Sequence, residues 1–143
     1  MLLVFFATGF WREFVFLNVN EQMRVAYYDS PDTHLAPSME WLTSFSYEQL
    51  YWLKWPLTMG FTALFGVYSI TIVRLIFHER SYQTLTLWAY IVVFAGSFLF
   101  FGIGWFLNSY EFAYTIARFL AGLIETPAML AILVAAFMVH RRK

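Results

Sequence analysis

Four ionisable residues stand well inside long apolar stretches of this 143-residue sequence, away from the ends of those stretches: Arg12, Glu13, Arg118 and Glu125. A charged side chain inside a bilayer costs about 2.5–3.5 kcal/mol on insertion scales, so such residues usually serve a proton or substrate pathway or pair with one another. Arg118 and Glu125 are seven residues apart, which is two helical turns. The spacing predicts that both lie on one face of a helix.

Glu125 is the residue that this pattern places deepest in the membrane. Counted from Glu111 at about 1.5 Å per residue, Arg118 lies about 10 Å and Glu125 about 21 Å along the helix. One interpretation makes Glu125 a proton or substrate carboxylate near the bilayer midplane. The other makes the four charges structural, with Arg12 pairing with Glu125 or Arg118 with Glu13. The two interpretations are compatible, because a charge that is paired with another can still line a cavity.

Two prolines fall within the apolar stretches and predict kinks. Pro127 directly follows Thr126 and has no N–H, so the carbonyl of Leu123 loses its helical donor. Pro56 lies about a turn inside another stretch. The helices carrying Glu125 and Pro56 are therefore expected to bend.

No pattern typical of an enzyme accompanies these residues. The sequence has no cysteine, no HExxH motif and no glycine-rich phosphate loop. Its histidines, His34, His78 and His140, are far apart along the chain. Nine basic and nine acidic residues leave no basic face for nucleic acid. We expect a non-enzymatic protein without a metal or cofactor and without a nucleic-acid partner.

The composition predicts an integral membrane protein of the all-α class. Hydrophobic residues make up 61% and charged residues 13% of the chain, whereas soluble domains are about 25% charged. A span needs about 20 apolar residues, and none of the candidate stretches shows the alternation of a barrel strand. We predict one four-helix transmembrane domain over residues 1–143, with spans at about 1–19, 51–77, 85–107 and 112–139 and an outer loop at 20–50.

The outer loop contains its own local signals. Turn-forming residues dominate 29–38, and 39–45 is amphipathic, which predicts a short interfacial helix. Ser46 followed by Gln49 matches a capping box, so the second long helix is expected to start there.

Aromatic side chains are concentrated around this loop, and they have two interpretations. They can anchor a protein partner, because aromatic residues dominate the binding energy of many interfaces. They can also form an interfacial belt beside a solvated loop. The candidate docking residues are Trp41, Phe45, Tyr47 and Trp52.

The basic residues predict the orientation. Arg80 lies in the turn after the second span, and Arg141, Arg142 and Lys143 end the chain. The outer loop has one arginine against five carboxylates. By the positive-inside rule, we expect both termini in the cytoplasm of a bacterium, with the protein in the inner membrane.

Two stretches resemble known small membrane proteins. Residues 10–16, with 18–20 and Tyr27–Tyr28, resemble the opening of uncharacterised membrane proteins from Bacteroidetes. Ala117-Arg118-Phe119-Leu120, followed by Pro127 and a basic tail, is similar to the last helix of exosortase F system-associated membrane proteins. The resemblance covers about a third of the chain. It implies an accessory protein encoded beside an exosortase-like peptidase.

These observations lead to two functional hypotheses. The first is an accessory or assembly subunit of a larger membrane complex, surrounded by lipid and bound to another integral membrane protein. The alternative is a small homodimeric transporter or channel that uses Glu125 or Glu13 with Arg118 or Arg12. Small multidrug-resistance transporters resemble the latter, with four helices and a first-helix glutamate at the depth of Glu13, but their first loop is short.

Overall fold

Helices account for nearly all of the described chain. The computed structural model describes residues 2–30, 32, 34–106 and 110–141. Within those ranges there is no strand, which confirms the all-α class. The elements are α1 (Leu2–Tyr28), a 3-10 helix (Pro37–Ser44), α2 (Tyr47–Phe77), α3 (Arg80–Phe106), α4 (Tyr110–Ile124) and α5 (Pro127–Arg141).

Two of these helices, α2 and α3, are long and apolar enough to cross a membrane. The bent pair formed by α4 and α5 counts as a third span if it is taken as one unit. The described helices are therefore compatible with membrane insertion. The count of four spans, with the first at about 1–19, stays a prediction.

The first three helices are longer than the predicted spans. α1 continues to Tyr28 and α2 begins at Tyr47, so the connection between them is shorter than the predicted 20–50. The amphipathic part of that connection forms a 3-10 helix. α3 begins at Arg80, five residues before the predicted span. Its predicted end at Leu107, and the basic residues Arg142 and Lys143, lie outside the described residues.

The kink predicted at Pro127 in the span over 112–139 takes the form of a break between two helices. The chain forms α4 and α5, which are bent by 70° at a short break between Ile124 and Pro127. The break occurs where Pro127 removes a backbone donor, which is the position that the sequence marks for a kink.

The chain divides into two compact units. The smaller unit comprises residues 6–61, and the larger unit comprises residues 1–5 together with 62–143. α1 and α2 each contribute to both units.

The smaller unit has an apolar core of its own. Val15 and Val19 of α1, Met39 and Leu42 of the 3-10 helix, and Leu50 of α2 are buried together. The capping box starts α2 as predicted, because Ser46 N–H donates to Gln49 Oε1 (2.9 Å) and Gln49 N–H donates to Ser46 Oγ (3.3 Å). The 3-10 helix is therefore packed onto both long helices of the unit.

Small residues and a few hydrogen bonds between side chains and neighbouring helices hold the helices of the larger unit together. Gly66 of α2 lies against the ring of Tyr90 on α3, whose hydroxyl shares a 2.8 Å hydrogen bond with Ser69. Further along, Ser97 Oγ donates to the carbonyl of Ala117 on α4 (2.8 Å). Small residues let helix backbones approach closely in a membrane, where hydroxyl groups can then bond across the interface.

Candidate functional site

The break between α4 and α5 is stabilised by a side chain. Pro127 leaves the carbonyl of Leu123 without its helical donor, and the hydroxyl of Thr126 donates to that carbonyl instead (3.0 Å). The N–H of Glu125 still donates to the carbonyl of Ala121 (3.3 Å), so α4 remains hydrogen-bonded up to the break. The bend therefore leaves neither of these backbone groups unsatisfied.

Glu125 is the buried polar residue at this break. Its side chain is only 2% exposed, and Thr62 of α2 donates to Glu125 Oε1 through its hydroxyl (3.2 Å). Both residues belong to the larger unit. The contact brings a carboxyl group and a hydroxyl group together at a helix break within apolar helices, which is an arrangement that can stabilise a charge or bind a small polar ligand.

Arg118 and Glu125 differ in how far their side chains are exposed. Arg118 lies on α4, before the bend, and its side chain is exposed, whereas Glu125 lies beyond the last residue of α4 and is buried. The N–H of Glu125 still bonds to α4 and the bend follows this residue, so the expected shared helix face stays a prediction. Within the described part of the larger unit, Arg118 forms no ion pair.

Arg12 and Glu13, the other two predicted charges, contact each other in the smaller unit. Arg12 Nη1 donates to Glu13 Oε2 at 3.2 Å, and the Arg12 guanidinium lies 4.9 Å from the centre of the Phe16 ring. The predicted pairs Arg12–Glu125 and Arg118–Glu13 each join one unit to the other. Those pairs stay predictions.

Asn18 attaches the outer segment, which we define as residues 29–30, 32 and 34–46, to α1. Its side chain is 7% exposed, with Nδ2 donating to the carbonyl of Phe14 (2.8 Å) and Oδ1 accepting from the N–H of Ala36 (2.8 Å). Sequence analysis did not identify this role. An asparagine on the same helix face as Val15 and Val19 was the available signal, because a polar residue on an apolar face needs hydrogen-bond partners.

A second attachment involves charged groups at the end of α1. Arg24 donates to both carboxylate oxygens of Glu21 (2.7 and 3.1 Å), and Glu21 Oε1 also accepts from the N–H of His34 (3.3 Å). Arg24 further donates to the carbonyl of Asp32 (3.4 Å). The Arg24 hydrogen bond lowers the pKa of Glu21, with the His34 N–H assisting, and the same carboxylate raises the pKa of Arg24.

This lowered pKa predicts an acid-sensitive attachment. A carboxyl group whose pKa is lower in the folded chain stabilises the fold above its usual value of 4.5, and the stabilisation is lost as pH falls through the lowered pKa. We expect the hydrogen-exchange protection of the His34 amide to stay constant from neutral pH to about 4.5 and to decrease below it. Glu21→Gln should remove this pH response; unchanged wild-type protection down to about pH 2.5 would contradict it.

The predicted docking residues lie on and beside the outer segment, but they are not equally exposed. Trp41 is 52% and Trp52 69% exposed, and Tyr47 is also exposed, whereas Phe45 is partly buried against the core. The rings of Trp41 and Phe45 are in edge contact at 5.7 Å. Three of the four candidates therefore have exposed aromatic rings. The partly buried ring of Phe45 packs against one of them, Trp41.

Pro56 lies inside a continuous helix, and the three histidines lie in different parts of the fold. α2 continues through Pro56 without ending. His34 is exposed in the outer segment, and His78 joins α2 to α3 in the left-handed region (φ 57°). Among the described residues, no group of three or more acidic residues or histidines is arranged to hold a metal ion.

Comparison with known proteins gives no relative for this chain: no family model, no curated protein and no solved structure matches it. The helix break and the outer segment are therefore the features of the chain that indicate a function.

Proposed function

We propose that this protein is a non-enzymatic accessory or assembly subunit of a larger complex in the bacterial inner membrane, with both termini in the cytoplasm. The observation that carries the proposal is the ordered outer segment with aromatic side chains on its surface. Fixing the backbone of a residue costs about 1–2 kcal/mol, and this segment is fixed by a core and by two sets of hydrogen bonds. An ordered aromatic surface binds a partner with less loss of entropy than a mobile loop.

The chemistry of this surface suggests its partner. Glu40 and Glu48 are exposed next to Trp41 and Tyr47, so the surface combines aromatic anchors with negative charge. A complementary partner offers apolar pockets bordered by basic residues on its own outer loops. The resemblance to exosortase F system-associated proteins makes an exosortase-like peptidase the first such partner to examine.

Trp41→Ala is the variant that tests the docking surface. Because an exposed aromatic anchor typically contributes about 2 kcal/mol to binding, we expect the amount of partner that co-purifies in a mild detergent to fall about tenfold or more. Native mass spectrometry of the tagged protein measures the stoichiometry.

Trp88→Ala is the matched control, because Trp88 is a similarly exposed tryptophan on α3. It should retain the partner at the wild-type level. A wild-type protein that purifies without any stoichiometric membrane partner would contradict the accessory role. An equal loss of the co-purifying partner in Trp41→Ala and Trp88→Ala would contradict the location of the docking surface at Trp41.

A second candidate function, a small homodimeric transporter or channel, is favoured by the helix break at Glu125. Transporters commonly build their binding sites from discontinuous helices near the bilayer midplane, and a buried intramembrane carboxylate is a frequent proton or ion site. This alternative requires that the carboxylate itself, and not only its hydrogen bond to Thr62, is needed for function. The Glu125 variants described in the Discussion distinguish the two.

A further inference from the structure

An aromatic cluster joins three helix ends in the larger unit. Phe77 ends α2, Tyr82 lies in the first turn of α3, and Phe137 lies near the end of α5. Their ring centres are 4.9 Å apart for Phe77–Tyr82, 4.8 Å for Tyr82–Phe137 and 5.6 Å for Phe77–Phe137. All three side chains are buried. The cluster therefore fixes the end of α5 beside the α2–α3 turn.

Basic residues surround this cluster. Arg74 precedes Phe77 by three residues and Arg141 follows Phe137 by four, so each lies on the same helix face as its aromatic neighbour. Arg80 begins α3, two residues before Tyr82. All three arginines are exposed, and none forms an ion pair with another described residue. We call Arg74, Arg80 and Arg141 the basic end of the larger unit.

The local backbone adds to the positive character of the basic end. α3 opens at Arg80 with no acidic residue in its first turn, so its first N–H groups and its helix dipole favour an anion there. His140 extends from the same surface, with its ring 6.4 Å from that of Tyr82. The nearest acidic residue in sequence, Glu79, accepts a hydrogen bond from Ser81 (3.4 Å).

Exposed aliphatic side chains lie next to these charges. Leu75 and Ile76 directly follow Arg74 on α2, and Leu85 lies one turn after Arg80 on α3. A ligand of the basic end therefore meets positive charge and apolar surface together. Free phosphate uses only the charge, whereas a phospholipid uses both, with its phosphate at the arginines and its acyl chains along the helices.

We propose that the basic end binds the headgroups of anionic phospholipids. The proposal depends on membrane insertion of α2 and α3 and is independent of the accessory role. Each arginine near an anionic surface favours binding by about fivefold. The aromatic cluster holds three such groups on one surface, so the wild-type protein should prefer an anionic lipid over a zwitterionic one by tenfold or more.

The experiment compares lipids retained by the purified full-length protein in native mass spectrometry, after exchange into equal amounts of phosphatidylglycerol and phosphatidylcholine. We expect Arg80→Gln to lower the preference for phosphatidylglycerol about fivefold, and the triple variant Arg74→Gln/Arg80→Gln/Arg141→Gln to abolish it. Arg118→Gln is the matched control, since Arg118 is an exposed arginine on another apolar helix of the same unit. It should keep the wild-type preference.

Three results would overturn the proposal. The first is a wild-type protein that binds both lipids equally. The second is an Arg118→Gln variant that loses as much of the preference for phosphatidylglycerol as the triple variant does. The third is displacement of the lipid by millimolar inorganic phosphate, which would indicate a site for soluble anions. A triple arginine-to-lysine variant keeps the charge and should retain the lipid. If the lysine variant retains the lipid, the loss of lipid in the glutamine variants results from the lost charge and not from misfolding.

Discussion

Glu125→Ala is expected to lower the stability of the membrane-inserted protein by about 2–4 kcal/mol, with a several-fold fall in its abundance. The substitution removes the acceptor of the Thr62 hydroxyl and leaves a void where a side chain is almost completely buried. The fall in the unfolding midpoint in detergent, together with immunoblots of membrane fractions, measures the effect.

Two further variants show what the carboxyl group contributes. Glu111→Ala, at an exposed glutamate of α4, should change the stability by less than about 0.5 kcal/mol. Glu125→Gln keeps an acceptor for Thr62 and nearly the same volume, so an accessory subunit should keep its abundance and its partner. If the protein is a transporter, Glu125→Gln abolishes proton-coupled flux while the protein still assembles. A Glu125→Ala protein as stable as wild type would contradict a structural role.

Leu42→Ala is expected to destabilise the smaller unit by about 2–5 kcal/mol. Leu42 is 0% exposed, and it packs against residues of both α1 and α2, so its loss opens a cavity under the outer segment. We expect faster proteolysis within residues 29–46 and loss of the co-purifying partner, while the protein remains in the membrane fraction. Faster proteolysis together with loss of the partner would show that partner binding needs an ordered outer segment.

The control for this variant is Leu17→Ala, because Leu17 is an exposed leucine on α1 of the same unit. Its proteolysis and partner binding should match wild type. If Leu42→Ala resists protease as well as the wild-type protein, the apolar core does not order the segment. If the segment becomes mobile but the partner is retained, the docking surface lies elsewhere.

The sequence predicts those features that depend on residues close together in the chain. The Ser46–Gln49 capping box and the loss of a donor at Pro127 both act within one helical turn, and both are present as expected. The all-α class follows from composition and from the need of backbone groups for partners in lipid. The start of α2 at Tyr47 also follows from the capping box, whereas the apolar stretch alone would place it at about residue 51.

The features that the sequence does not predict depend on long-range contacts. Asn18 contacts Ala36, and Thr62 contacts Glu125, across 18 and 63 residues respectively. The expected common face of Arg118 and Glu125 concerns residues that precede the 70° bend, so it stays a prediction. A local pattern can therefore indicate that a helix breaks, but not which side chains meet at the break.

The bend between α4 and α5 also determines how this part of the chain can meet a bilayer. Each helix has 15 residues and reaches about 22 Å, which is less than the hydrocarbon thickness of about 30 Å, so neither helix crosses it alone. The two helices are long enough only as one bent span. In such a span the break lies at its middle, so Glu125 and Thr126 are placed between two apolar segments and away from both membrane surfaces.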